Sequence, residues 1–183
     1  TRRSSDLWIP VHRWNKCLWF DIITCNKNRL PMNIDQELVS SLISQANASD
    51  RFRASFDLRT TVNDSSQQIL NALLPGTQVP IHRHPNSNEN VIVVCGSLDE
   101  VIYEEYEEFD RLVDDPCMMD DQDIVKVSKI KEVERIHLDP KEGIYGCTVR
   151  KGTWHTVEVF EPSVIYEGKD GKYGEDGSET YIV

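Results

Sequence analysis

Three histidines and one glutamate carry the clearest chemistry in this 183-residue chain. His82 and His84 are separated by a single residue, Glu89 follows the turn-forming run Pro85-Asn86-Ser87-Asn88, and the stretch is bracketed by Gly76 and Gly96. His155 comes much later, in Gly152-Thr153-Trp154-His155. Neutral imidazoles with one carboxylate suit a divalent first-row metal, Mn, Fe, Co, Ni, Cu or Zn, and softness alone does not choose among them. Such a donor set leaves positions open on an octahedral ion for water, oxygen or a bidentate small molecule. A metal held this way can polarise a carbonyl or lower the pKa of a bound water. Each imidazole also requires a partner for its other ring nitrogen.

The spacing says which elements must position these groups. Side chains alternate along a strand, so His82 and His84 share one face. The Pro-Asn-Ser-Asn run reads as a turn. The apolar run 90–95, stopped by Gly96, reads as the returning strand that brings Glu89 beside the histidines. His155 follows a Gly-Thr-Trp turn and opens a strand over 155–160. If that strand pairs nearby, its imidazole completes the set.

The residues from Gly76 to Gly96 match the first cupin motif throughout: Gly, five residues, His-x-His, four residues, Glu, six residues, Gly. Gly152 and His155 fit the second cupin motif, while Arg150 stands where Pro is usual, Val159 where Asn is usual, and Gly143 is one residue off the leading Gly. Residues 32–183 further resemble the WbuC-type cupin metalloproteins, a bacterial group linked to surface-polysaccharide loci. That resemblance is carried by Arg51-Phe52-Arg53, by Gln67 to Gly76 running into His82-Arg83-His84, by Gly152 to His155, and by Tyr166 to Tyr173. Gln68 and Arg59 depart from it, standing where Arg and His are expected. The resemblance implies an all-β cupin barrel, jelly-roll-like, with a short helix packed outside. It also implies one divalent transition metal (Fe, Mn, Zn, Ni or Co) on His82, His84, Glu89 and His155. A role for Glu167 and Tyr173 rests on the resemblance alone.

The candidate pocket walls follow from alternation. In the strand over 67–74, Gln67, Ile69, Asn71 and Leu73 share one face, so Gln67 and Asn71 can donate and accept toward a polar ligand. Arg53 and Arg59 offer forked donors for a carboxylate or phosphate. Trp154, next to His155, could stack on a sugar or close the mouth. His137 lies in an alternating strand and reads as an ordinary residue.

The remaining elements frame that site. A helix is expected over 33–49, capped by Asn33 or Asp35, with Leu38, Ile43 and Ala46 or Ala48 as a broken apolar face. Strands are expected over 52–59, 67–74, 79–83, 90–95, 98–106, 124–130, 133–138, 144–150, 155–160 and 163–167. The Gly-, Lys- and Asp-rich tail, 168–180, reads as a loop. Closing such strands into a barrel removes exposed edges and leaves a mouth suited to a small ligand. Residues 1–31 do not fit the barrel pattern and hold Trp8, Trp14 and Trp19; they read as an accessory extension or translated upstream sequence before a cupin domain at 32–183.

Charge and cysteine content bound the partners. Of 31 acidic residues, 12 fall in residues 97–123, where Arg111 is the lone base; the other 19 acids meet 19 bases. That stretch reads as a solvated insertion between the motifs, with a docking surface or a weak cation site as alternatives. Nucleic acid is not an expected partner, because phosphate binding needs a basic face. No apolar run reaches membrane-spanning length, so no membrane partner is expected. The five cysteines are odd in number and form no CxxC, which reads as reduced thiols in a cytoplasmic protein. The expected partner is a small polar ligand, sugar-like or acid-like, with a homodimer expected from the cupin resemblance. Three functions stay open: a metal-dependent dioxygenase, a metal-dependent isomerase, and a non-catalytic binding or sensor module, with polysaccharide-related metabolism as the setting.

Overall fold

A computed structural model describes residues 32–111 and 124–182 of the chain. The extension at 1–31 and the last part of the acidic segment, 112–123, lie outside the described residues. Helix α1 (Gln36–Asn47) comes first, followed by β1 (Arg53–Asp57), β2 (Ser66–Leu73), β3 (His82–Arg83), β4 (Glu89–Cys95) and β5 (Leu98–Arg111). Then come β6 (Ile124–Leu138), a single 3₁₀ turn (Pro140–Glu142), β7 (Gly146–Val149), β8 (Trp154–Val159), β9 (Ser163–Asp170) and β10 (Glu179–Thr180). The strands form two antiparallel five-stranded sheets, in the orders β1-β2-β9-β4-β7 and β10-β3-β8-β5-β6. The all-β class with a short helix ahead of the strands is therefore the one expected.

Helix α1 begins where Asp35 accepts from the Leu38 backbone N–H at 3.1 Å, a cap contributing about 1 kcal/mol. Its buried seam is Val39, Leu42 and Ala46, spaced three and four apart as an apolar helix face requires. The expected seam of Leu38 and Ile43 only flanks it, because those residues lie at the edge of the contact and are partly buried. The seam packs on Leu70, Ala72, Leu74 and Val164. Burying Leu42 fully contributes about 1.5–3 kcal/mol. The opposite face of β2 carries Gln67, Ile69, Asn71 and Leu73 and turns toward the other sheet. Leu73, Val91, Val93 and Ile165 of the first sheet meet Leu98 and Leu138 of the second. This core closes one end of the space between the sheets and leaves the other end free for a polar cavity.

The β4–β5 turn explains why the bracket ends in glycine. Gly96 has φ +86°, and a Cβ there would lie 2.3 Å from Ser163 Oγ and 2.6 Å from the Pro162 carbonyl. No side chain fits that position.

Two expectations change. The strand expected over 98–106 is longer, because β5 continues to Arg111, and the two strands expected at 124–130 and 133–138 are one strand, β6, which pairs with β5 across a register shift at Ile102/Tyr103 of β5. Beyond Tyr103, β5 has left β8 and pairs with β6 alone. Glu107 pairs with Lys126, Glu108 with Lys129 and Glu104 with Lys131 across the ladder. Each exposed pair is worth little, but together they let an acidic strand lie against a basic one. The tail also differs from a simple loop. β9 runs on to Asp170, and β10 pairs with β3, setting Thr180 opposite His82 and Glu179 opposite Arg83.

Candidate metal centre

Strand pairing brings the four sequence-distant ligands together. His82 on β3 lies opposite His155 on β8, and Glu89 opens β4. One ligand atom from each of His82, His84, Glu89 and His155 lies within 4.8 Å of the others. His155 Nε2 is 3.1 Å from Glu89 Oε2, and His84 Nε2 is 3.2 Å from the same oxygen. His84, Glu89 and His155 are at most 4% exposed.

The outer ring nitrogens show how the imidazoles are set. His82 Nδ1 donates to the Pro80 carbonyl at 3.0 Å, and His155 Nδ1 donates to the Thr153 carbonyl at 3.0 Å. A carbonyl only accepts, so in both rings Nε2 keeps its lone pair. His84 Nδ1 lies 2.8 Å from Ser178 Oγ. That hydroxyl donates to Asp176 Oδ2 at 2.6 Å, so it accepts from His84, and His84 Nε2 keeps its lone pair, which faces Lys169 Nζ. The donor chemistry therefore fits a divalent metal: neutral imidazoles oriented by acceptors behind them, with one carboxylate among them.

The electrostatics agree. Burial, and then repulsion from His155, push the His82 pKa down to about 4, which keeps that ring neutral near pH 7. Burial opposes ionisation of Glu89, but in the metal-free protein its close contacts with the His155 and His84 rings and the nearby Lys169 charge outweigh it and hold its pKa far below the usual range. Lys169, opposite Glu89 in the sheet, places Nζ 3.0 Å from His84 Nε2 and 3.3 Å from Glu89 Oε1. The same ammonium is 3.6 Å from Asp176 Oδ2.

These groups open into a cavity of about 650 Å³ between the sheets. Of the sequence-derived wall residues, Arg53, Gln67 and Asn71 line it, as do Glu167 and Tyr173. Gln67 Nε2 donates to Asp176 Oδ2 at 2.9 Å, and Asn71 Nδ2 donates to Glu167 Oε2 at 2.8 Å. Two candidates lie elsewhere. Trp154 is beside His155 in sequence, and strand alternation sends it to the opposite face. There Arg83 sits 4.3 Å over its ring, Tyr181 packs edge-on, and Nε1 donates to Glu105 at 3.2 Å. Arg59 turns back on Asp57 through Nε at 2.9 Å and Nη2 at 2.8 Å.

Sequence reasoning missed Lys169, Asp176, Ser178 and Glu100. Lys169 lies two residues after Glu167 on one strand face, a signal that alternation offers. Asp176 and Ser178 sit in the glycine-punctuated tail, where composition gives no sign that β10 returns to the site. Glu100 is hidden in an acidic run that reads as solvated, yet it is 1% exposed and lines the cavity. His137, Asp139 and Glu142 also gather on the surface, but His137 Nδ1 is 2.7 Å from Asp99.

Among known proteins, a family described as a domain of unknown function, DUF6016, matches residues 34–113. No curated protein matches the chain. Among solved structures, it is similar to the capsular polysaccharide assembling protein CapF from Staphylococcus aureus, at 18% identity and a TM-score of 0.48, over 74% of this chain and 32% of that one. DMSP lyase DddQ from Ruegeria pomeroyi gives 12% identity and a TM-score of 0.44, over 70% of this chain and 51% of that one. Oxalate decarboxylase from Bacillus subtilis, a protein with Mn(II) centres, gives 15% identity and a TM-score of 0.39, over 70% and 27%. The chain thus spans about a third of CapF and about half of DddQ.

Proposed function

We propose that this chain is a cupin-type metalloprotein that holds one divalent transition metal through His82, His84, Glu89 and His155 and binds a small polar ligand beside it. One observation carries this reading: every imidazole of the set has its Nδ1 occupied by a partner behind it and its Nε2 available to the cluster. When bound, the metal supplies a Lewis acid for a ligand oxygen or water. The protein's own residues fix the rings, hold Glu89 ionised, and enclose the ligand between two sheets. Polysaccharide-related metabolism belongs to the same proposal and rests on the WbuC-type motif resemblance.

Among reactions, proton transfer of the isomerase type is favoured over oxygen activation. The observation behind this is that Glu100 and Glu167 line the cavity along with the ligands, whereas an oxygen-activating site calls for an apolar mouth. A carboxyl within reach of a bound ligand can act as general acid or base.

The test is elemental analysis of protein purified without added metal, compared with the His82→Ala/His155→Ala double variant. Near-stoichiometric metal in the wild type and its loss in the variant is the expected result. Equal metal content in the two would overturn the assignment.

A further inference from the structure

One wall of the cavity carries a carboxyl that the fold does not use. Glu100 on β5 is 1% exposed and lines the same cavity as the metal ligands. Its Oε1 has no hydrogen-bond partner among the described residues. On the other sheet, Glu167 of β9 lines that cavity too, and its Oε2 is held by Asn71. The cavity's lysine is already engaged elsewhere, with Glu89 and Asp176. A buried carboxylate without a counter-ion is strongly unfavourable, so both groups favour the protonated form. Burial, followed by the Glu89 charge, raises both pKa values, that of Glu167 to about 8.

A protonated carboxyl donates one hydrogen bond and accepts others. A ligand hydroxyl does the same, so the two match in either direction. A ligand carboxylate can only accept, and at this wall it would lie beside a second acidic group. The Asn71 amide relieves it little, because one Nδ2 hydrogen is given to Glu167 and its Oδ1 accepts from Ser55, which leaves a single neutral N–H.

We propose that Glu100 and Glu167 form a hydroxyl-recognition subsite beside the metal ligands, and that the bound molecule is an uncharged polyhydroxylated compound rather than a carboxylic acid. This deepens the metal-site reading and rests on it.

The experiment is a ligand-observed NMR titration of the purified full chain, with metal content measured on the same samples. The probes are a panel of neutral aldohexoses and xylitol, set against the matched uronates. Neutral probes are expected to bind at least about tenfold more tightly than their uronates. Glu100→Gln, which keeps a donor and an acceptor, should retain binding, while Glu100→Leu should weaken it about tenfold or more. Metal content should be the same in both variants. Uronates binding as tightly as neutral probes, no probe binding at all, or a Glu100→Leu variant with unchanged affinity each overturns the subsite. Wild-type protein without metal overturns the metal reading instead, and Glu100-dependent binding of neutral probes by that protein would leave the subsite standing.

Discussion

Ser178 Oγ lies 2.8 Å from His84 Nδ1 although 94 positions separate the two residues. The contact ties the C-terminal tail to the metal-ligand cluster through a chain that continues to Asp176. Ser178→Ala removes the acceptor that fixes the His84 tautomer. Metal affinity should fall about 10–100-fold, measured by competition with a chelator, while the thermal stability of the metal-free protein changes little.

Lys169 presents an ammonium to the Nε2 lone pair and carboxylate oxygen that a metal would use. Two cations at that spacing repel, and the repulsion is strong in a buried site. Lys169→Met should therefore raise metal affinity and lower the stability of the metal-free protein, because Glu89 then loses a counter-charge. A chelator competition assay and a melt of the apoprotein read the two effects separately.

The pH dependence of the metal-free protein has opposing contributions. Glu167 has a folded-state pKa near 8 against an ordinary value of 4.5. The folded state keeps a proton that the unfolded chain releases, so the Glu167 contribution falls as pH rises from about 4.5 to 8, by up to about 1.4 kcal/mol per pH unit. The raised Glu100 acts in the same sense. His82, lowered to about 4, opposes them by adding stability as pH rises from about 4 to 6.5. Glu89 is depressed, so the stability it contributes is present above its unfolded pKa and is lost on acidification below about 4.5. Glu167→Gln should flatten the decline between pH 5 and 8 in thermal melts, and a slope unchanged by the substitution would show that Glu167 is ionised in the fold.

Gly96→Ala forces a Cβ into Ser163 and Pro162 and a left-handed backbone onto alanine. The expected destabilisation is roughly 2–4 kcal/mol. Gly152→Ala is the control: its φ is +80° but nothing lies within 4 Å of the added Cβ, so only the backbone cost of roughly 1–2 kcal/mol applies. Denaturant unfolding of the two variants separates crowding from backbone strain.

Trp154→Phe tests the opposite expectation. Its ring packs with Arg83 and Tyr181, away from the cavity lining, so the substitution should lower the melting temperature slightly and leave metal content unchanged.

Three of the four candidate ligands were legible in the sequence because they lie close together in it. His82, His84 and Glu89 lie within eight residues of one another, although the hairpin expected there is absent: β3 pairs with β8 and β10, and β4 lies in the other sheet. Alternation alone placed Gln67 and Asn71 on a shared face. The same rule, applied at Trp154, separates it from His155 and removes it from the site. What stayed hidden depends on long-range pairing. The tail reads as a loop until β10 finds β3, and Glu100 reads as one more solvated acid until two sheets enclose it. The length of β5 was underread because the lysines that pair with its acidic residues stand on the far side of the segment, in β6.

The strand that carries Lys169 and Glu167 is paired with β2, with Ser66 opposite Asp170 and Gln67 opposite Lys169. His82 likewise meets His155 only across β3 and β8. These pairings join segments from distant parts of the chain, so loop closure is costly and comes before any reward. The ligand cluster has no local precursor, and a fragment holding the first motif alone lacks the His155 ring. Metal uptake then follows the slowest ordering step, and its rate after dilution from denaturant becomes a clock for the completed fold.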